Sequence, residues 1–154
     1  MGAGLGLGIS VIIFGAYLLL GERVIDPETL RTAANANGIG RPILYLPFVA
    51  YLTLVNSLLE EYVWRWFVFR QCERLVGGWM AVICSAAFFT IHHVIALKAQ
   101  TGWTTTLLAS SGVFIGGAVW SWCYLKYNSI WPGYVSHIIV DATIFVIGWL
   151  LIFG

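Results

Sequence analysis

Charge is scarce in this chain: Asp, Glu, Lys and Arg make up 10% of its 154 residues, where soluble domains carry roughly a quarter. A water-soluble fold of this length cannot bury the 60% of residues that are hydrophobic, because surface outruns volume in small proteins. The solvent for most of the chain is therefore lipid. An excess of one sign is missing too. Eight Lys and Arg against seven Asp and Glu leave a net charge of +1, which removes the electrostatic footprint of a nucleic-acid partner. Cysteine is sparse: Cys72, Cys84 and Cys123 are far apart and lack CxxC spacing, so they make neither a disulfide frame nor a thiolate zinc site and read as small apolar packing residues. There is no internal repeat, no low-complexity tract and no length to spare for a second domain, so residues 1–154 are expected to form one domain.

Long apolar runs are present instead, and they predict an all-α, polytopic transmembrane bundle of about five spanning helices. The first covers Leu5 to Leu20. No Lys or Arg precedes it, so it lacks the basic region of a signal peptide and reads as a span. Gly4, just before it, and Gly8, within it, form a small-xxx-small pair suited to close helix packing. Gly21 to Arg41 is the longest polar stretch and reads as a loop. The second span runs from about Ile43 to Arg70, with a turn around Arg70, Glu73, Arg74 and Gly77-Gly78. The third covers Trp79 to Leu97, the fourth Trp103 to Leu125 with Gly112, Gly116 and Gly117 near one face, and the fifth Ile130 to Phe153. Arg23, Arg31, Arg41 and Lys98 fall on one side and Arg70, Arg74 and Lys126 on the other, a near parity that selects neither orientation. Nothing in the sequence names an oligomeric state.

Ionisable residues inside spans are costly in hydrocarbon, so they face a bundle interior or a wet cavity and are candidates for function. Besides His92 these are Glu60, Glu61, Arg65, His93, His137 and Asp141. At the 1.5 Å rise of an α-helix, measured from the side of the turns after spans two and four, Glu60 lies about 18 Å deep, His93 about 22 Å, His137 about 10 Å and Asp141 about 16 Å. Three separated segments thus place polar groups in one half-bilayer slab, which predicts a shared polar cavity. Glu61 and Arg65 are i,i+4 and can pair, while Glu60, offset by about 100°, is free to point elsewhere. His137 and Asp141 are also i,i+4. A Glu, two His and a carboxylate suit three chemistries. Zinc hydrolysis would use His93, His137 and a carboxylate, although the chain lacks an HExxH pair. Metal-free hydrolysis would have Glu60 and His93 polarise a water, with His137 and Asp141 on the oxyanion. Nucleophilic attack by Ser136 ranks last, since it lacks a GxSxG turn and points about 100° away from His137.

Three motifs carry a resemblance. Glu60-Glu61-Tyr-Val-Trp-Arg65 reads EExxxR, Phe89-Thr-Ile-His-His93 reads FxxxH, and His137-Ile-Ile-Val-Asp141 reads Hxxx(N/D), in this order on separate apolar segments. Over about Leu54 to Phe153, including the Gly-containing stretch Phe114 to Tyr124 and the approach Ser129 to His137, the chain resembles the CPBP (Abi) family of intramembrane proteases, the CAAX proteases and bacteriocin-processing enzymes. The resemblance implies Glu60 as general base, Glu61 and Arg65 as its supporting pair, His93 as the water-binding histidine and His137 with Asp141 as the oxyanion pair. His92, spaced likewise from Phe88, ranks second to His93. It also implies an integral membrane protein, expected in the cytoplasmic membrane of a prokaryote, that meets lipid and a protein or peptide substrate. No cofactor is implied, zinc being possible but not favoured. Trp66 stands where the family commonly has Gly. The rival readings are a catalytically silent membrane protein of the same fold, acting in bacteriocin immunity or as a scaffold, and a metal or proton carrier, which would lack the usual pair of broken helices.

Overall fold

The computed structural model describes residues 1–154 apart from the side chain of Glu22. Among the described residues there are six helices and no strand: α1 (Gly2–Val24), α2 (Pro27–Ala36), α3 (Pro42–Val76), α4 (Gly78–Lys98), α5 (Trp103–Tyr127) and α6 (Trp131–Phe153). All but α2 are long and apolar enough to cross a bilayer. The distribution of polarity is that of a protein in lipid. Ile12, Leu19 and Ile43 are more than 70% exposed, while Ser57, Glu61, Arg65, Ser121 and Ser136 are fully buried.

The stretch Gly21 to Arg41, expected as a loop, contains α2. Asp26 caps it, accepting from the Glu28 amide at 3.1 Å and from the Thr29 hydroxyl at 2.5 Å, and Pro27 sets the first helical φ. Those hydrogen bonds, Thr29 foremost, hold the Asp26 carboxyl below its usual range. Arg31 bonds Glu28 at 2.7 Å and donates to the Ile152 carbonyl at 3.2 Å, tying α2 to the last turn of α6. A short capped helix of this kind was hidden because its polar residues read as loop until its docking site on α6 is known. The expected turn after span two also narrows. α3 continues to Val76, and Gly77, at φ 80°, alone reverses the chain into α4.

α3 is the irregular element. Two π-helical stretches, Tyr51–Asn56 and Tyr62–Phe69, flank the α-turn Ser57–Glu61. Thr53, Ser57, Glu61, Arg65 and Phe69, each four residues after the last, are all buried. In a pure α-helix four residues overshoot one turn by about 40°, so Phe69 would end about 160° away from Thr53. The wider π turns absorb that overshoot and keep the five side chains on one inward stripe. They also advance less per residue, which brings Glu60 nearer the level of His137 than the α-helical count suggests.

Two tyrosines hold α3 against α6: Tyr45 donates to the Phe145 carbonyl and Tyr134 to the Leu54 carbonyl, both at 2.9 Å. α4 packs on α5, where Ala86 and Phe89 meet Gly117; a Cβ there would lie 2.9 Å from the Phe89 ring. Gly112 faces open space instead. α1 packs on α6, and the close approach is made by Gly2 and Gly6 rather than by the expected Gly4 and Gly8. A Cβ on Gly6 would sit 2.9 Å from Ile139 Cβ and from the Ser136 carbonyl, whereas Gly4 and Gly8 have nothing within 4 Å. Both pairs share one spacing, so only the rotation of α1 about its axis separates them. Gly6→Leu is expected to lower stability by about 1–3 kcal/mol through overpacking, and Gly8→Leu to leave it unchanged, as read by denaturant unfolding in detergent micelles.

Candidate active site

The site is assembled from α3, α4 and α6. Glu61, on the inward stripe of α3, has no exposed surface. Its Oε1 lies 3.3 Å from Arg65 Nη1 and 3.1 Å from His137 Nδ1. Gly133, one turn before His137, makes this possible, because a Cβ there would collide with Glu61 Oε2. Arg65 is equally buried. Its guanidinium stands 4.6 Å over the Phe89 ring and 5.2 Å over Trp120, and reaches the Gly117 carbonyl at 3.5 Å. Trp120 also stacks on the His137 imidazole, with centroids 4.0 Å apart at 20°, and anchors itself by donating from Nε1 to Ser136 Oγ at 3.0 Å.

Glu60, Asp141 and His93 stand at the mouth, with 14%, 19% and 24% of their side chains exposed. Glu60 Oε2 is 4.0 Å from His93 Nε2 and 3.7 Å from His137 Nε2. Asp141 Oδ1 is 3.6 Å from the same His137 Nε2. Each carboxylate is held by its other oxygen: Asn56 Nδ2 donates to Glu60 Oε1 at 2.9 Å, and Ser57 Oγ lies 2.6 Å from Asp141 Oδ2. The structure thus brings all six sequence-selected residues together. His92 stays outside. It is exposed, with its ring 5.9 Å from Trp64 and 5.2 Å from His93, and it faces no carboxylate.

Hydrogen bonding sets the tautomers. His93 Nδ1 is 3.0 Å from the Phe89 carbonyl, which can only accept, so Nδ1 carries the proton and the neutral ring turns a lone pair on Nε2 toward Glu60. His137 Nδ1–H donates to Glu61 Oε1, so His137 presents a proton at Nε2 only as the imidazolium. The space between Glu60 Oε2 and His93 Nε2 therefore suits a water that donates twice. Across it stand His137 Nε2 and Asp141 Oδ1, 3.6 Å apart. No group of three or more His, Cys, Asp or Glu among the described residues is disposed to hold a metal ion.

The model of the Rce1-like type II CAAX prenyl endopeptidases matches residues 42–143. The chain belongs to this family. As an Rce1-like protein it is an integral membrane protein of a protease family, and the CPBP resemblance carried by its three motifs is borne out. The matched region runs from the first residue of α3 into α6 and contains every residue of the site. Neither a curated protein nor a solved structure matches the chain. Trp66, where the family commonly has Gly, is half-exposed and stacks on Tyr62 at 4.7 Å, outside the site.

Four contributors were missed from sequence. Gly133 and Trp120 lie in apolar runs and show their part only through α6 packing on α3 and α5. Asn56-Ser57 did leave a signal, a polar dipeptide in an otherwise apolar run one turn before Glu60. Arg65→Ala strands the buried Glu61 charge and is expected to cost about 3–5 kcal/mol of stability. Glu61→Leu/Arg65→Met, which leaves no unpaired charge, is expected to recover most of that loss in micelle unfolding experiments.

Proposed function

We propose that this Rce1-like chain is an endopeptidase that hydrolyses, within or at the membrane, a peptide bond of a membrane-associated protein or peptide by means of a water activated by Glu60 and His93. The observation that carries the reading is the convergence of Glu60, His93, His137 and Asp141, from three spans, on one small space. The water donates one hydrogen to Glu60 Oε2 and the other to the lone pair of His93 Nε2. As its oxygen bonds to the scissile carbonyl carbon, the first proton passes to Glu60. The carbonyl π electrons move to oxygen, and His137 Nε2–H stabilises that oxyanion. Collapse re-forms the carbonyl and breaks the C–N bond, and the Glu60 proton goes to the departing amine. Glu61 and Arg65 hold His137 in orientation and balance its charge.

The family's activity, CAAX prenyl endopeptidase, supports a C-terminally prenylated protein as the first substrate to assay. The decisive comparison is between cells carrying the native chain and cells carrying Glu60→Ala. A membrane-associated precursor is expected to persist uncleaved only with the variant. Native membranes are expected to process that precursor even after exhaustive chelation; loss of activity restored by stoichiometric zinc would make His93 and His137 metal ligands instead.

Asp141 has two possible roles. A protonated Asp141 donates to the oxyanion, whereas an ionised one orients the His137 imidazolium across 3.6 Å. Asn is a permanent donor, so under the first role Asp141→Asn retains most of kcat and Asp141→Ala loses on the order of 10²-fold. We expect that pattern. An Asn variant as impaired as Ala would assign the negative charge as the working feature.

A further inference from the structure

The two carboxylates at the mouth of the site are held alike, and by neighbouring residues. Glu60 has Oε1 tied to Asn56 Nδ2 at 2.9 Å and Oε2 aimed at the imidazoles. Asp141 has Oδ2 tied to Ser57 Oγ at 2.6 Å and Oδ1 aimed at His137 Nε2. Asn56 ends the first π stretch of α3 and Ser57 begins the α-turn that follows. Because adjacent helical residues diverge by about 100°, Asn56 lies on the half-buried stripe that also holds Glu60, four residues on, while Ser57 lies on the buried stripe and reaches across to α6, 84 residues on. Ser57 has no exposed surface, and its single hydroxyl proton, with the Leu52 carbonyl 3.0 Å away as the alternative acceptor, goes to the nearer Asp141 Oδ2. Neither side chain caps a helix end. Both restrict a carboxylate that would otherwise rotate about its last bond.

We propose that Asn56 and Ser57 are paired positioning residues, each fixing one oxygen of a mouth carboxylate so that the other oxygen meets the reacting atoms. This rests on the peptidase reading for its effect on turnover, though not for its effect on geometry. An unrestrained carboxylate loses the near-attack arrangement, and misplacement of a reacting group by 1 Å costs up to about 10²-fold in rate. The effect is therefore expected in kcat rather than in KM. Two measurements on the full chain in detergent micelles test the proposal.

In the first, Ser57→Ala and Asn56→Leu are expected to lower kcat on the order of 10-fold to 10²-fold with KM unchanged. Ser57→Thr, which keeps the hydroxyl, and Asn56→Gln, which keeps the donor amide, are expected to restore much of the loss. Because Ser57 acts through Asp141, Ser57→Ala should add nothing in an Asp141→Ala background. In the second, 15N-histidine NMR of the three-histidine chain should show the His137 ring resonance moving in Ser57→Ala and the His93 and His137 resonances moving in Asn56→Leu, with His92 still in both. Unchanged kcat and unmoved resonances overturn the proposal. So does a loss of kcat that tracks loss of folded protein without rescue by Thr or Gln, or one that multiplies with Asp141→Ala. If the wild-type chain turns over no peptide while the resonances move as stated, the peptidase reading fails and the positioning stands.

Discussion

The Glu61 carboxylate is the interaction on which the rest of the site depends. It is a charge without exposed surface inside a protein that lies in lipid, and such a charge persists only if paired and hydrogen-bonded. Arg65, one turn on, supplies the countercharge, and His137 supplies a proton from α6. Those two partners dictate much of the surrounding structure. α6 must come close enough for His137 to reach Glu61, which requires Gly133. Arg65, paired on one side, rests its remaining surface on Phe89 and Trp120, and Phe89 is also the residue whose carbonyl orients His93. One buried carboxylate thereby connects α3, α4, α5 and α6.

This arrangement needs α3 to present every fourth residue inward over four turns, which an ordinary α-helix does not do. The two π stretches meet that constraint. They keep Thr53, Ser57, Glu61, Arg65 and Phe69 on the buried stripe and Asn56 and Glu60 on the stripe beside it. The consequence is a division of labour between adjacent residues. Glu61 and Ser57 face the interior and hold partners from α6, while Glu60 and Asn56 face the mouth of the site. That Glu60 and Glu61 differ so sharply in exposure follows from backbone register rather than from any difference in side chain.

Much of this was legible in the residues. Charge scarcity and five apolar runs established the membrane bundle, because a short chain this apolar has no other way to hide its surface. The six site residues stood out because an ionisable group in hydrocarbon is expensive enough to imply a purpose, and their similar depths on three spans implied a shared space. What escaped notice was whatever depended on rotation about a helix axis or on a neighbour not adjacent in sequence. Gly4 and Gly8 have the same spacing as Gly2 and Gly6, and the residues facing Gly133 and Trp120 lie on other helices. Sequence distance is identical for the two glycine pairs, and only the facing helix distinguishes them.

The sequence by itself determined the fold class, the five spans and the identity of the polar residues, since these follow from transfer free energies that each side chain carries with it wherever it sits. Tertiary structure alone decided which oxygen of each carboxylate is restrained, how α2 docks on the end of α6, and that Gly133 clears the path to Glu61. Those outcomes are set by angles and distances between helices. They depend on packing among elements far apart in the chain, and no property of an individual residue encodes them.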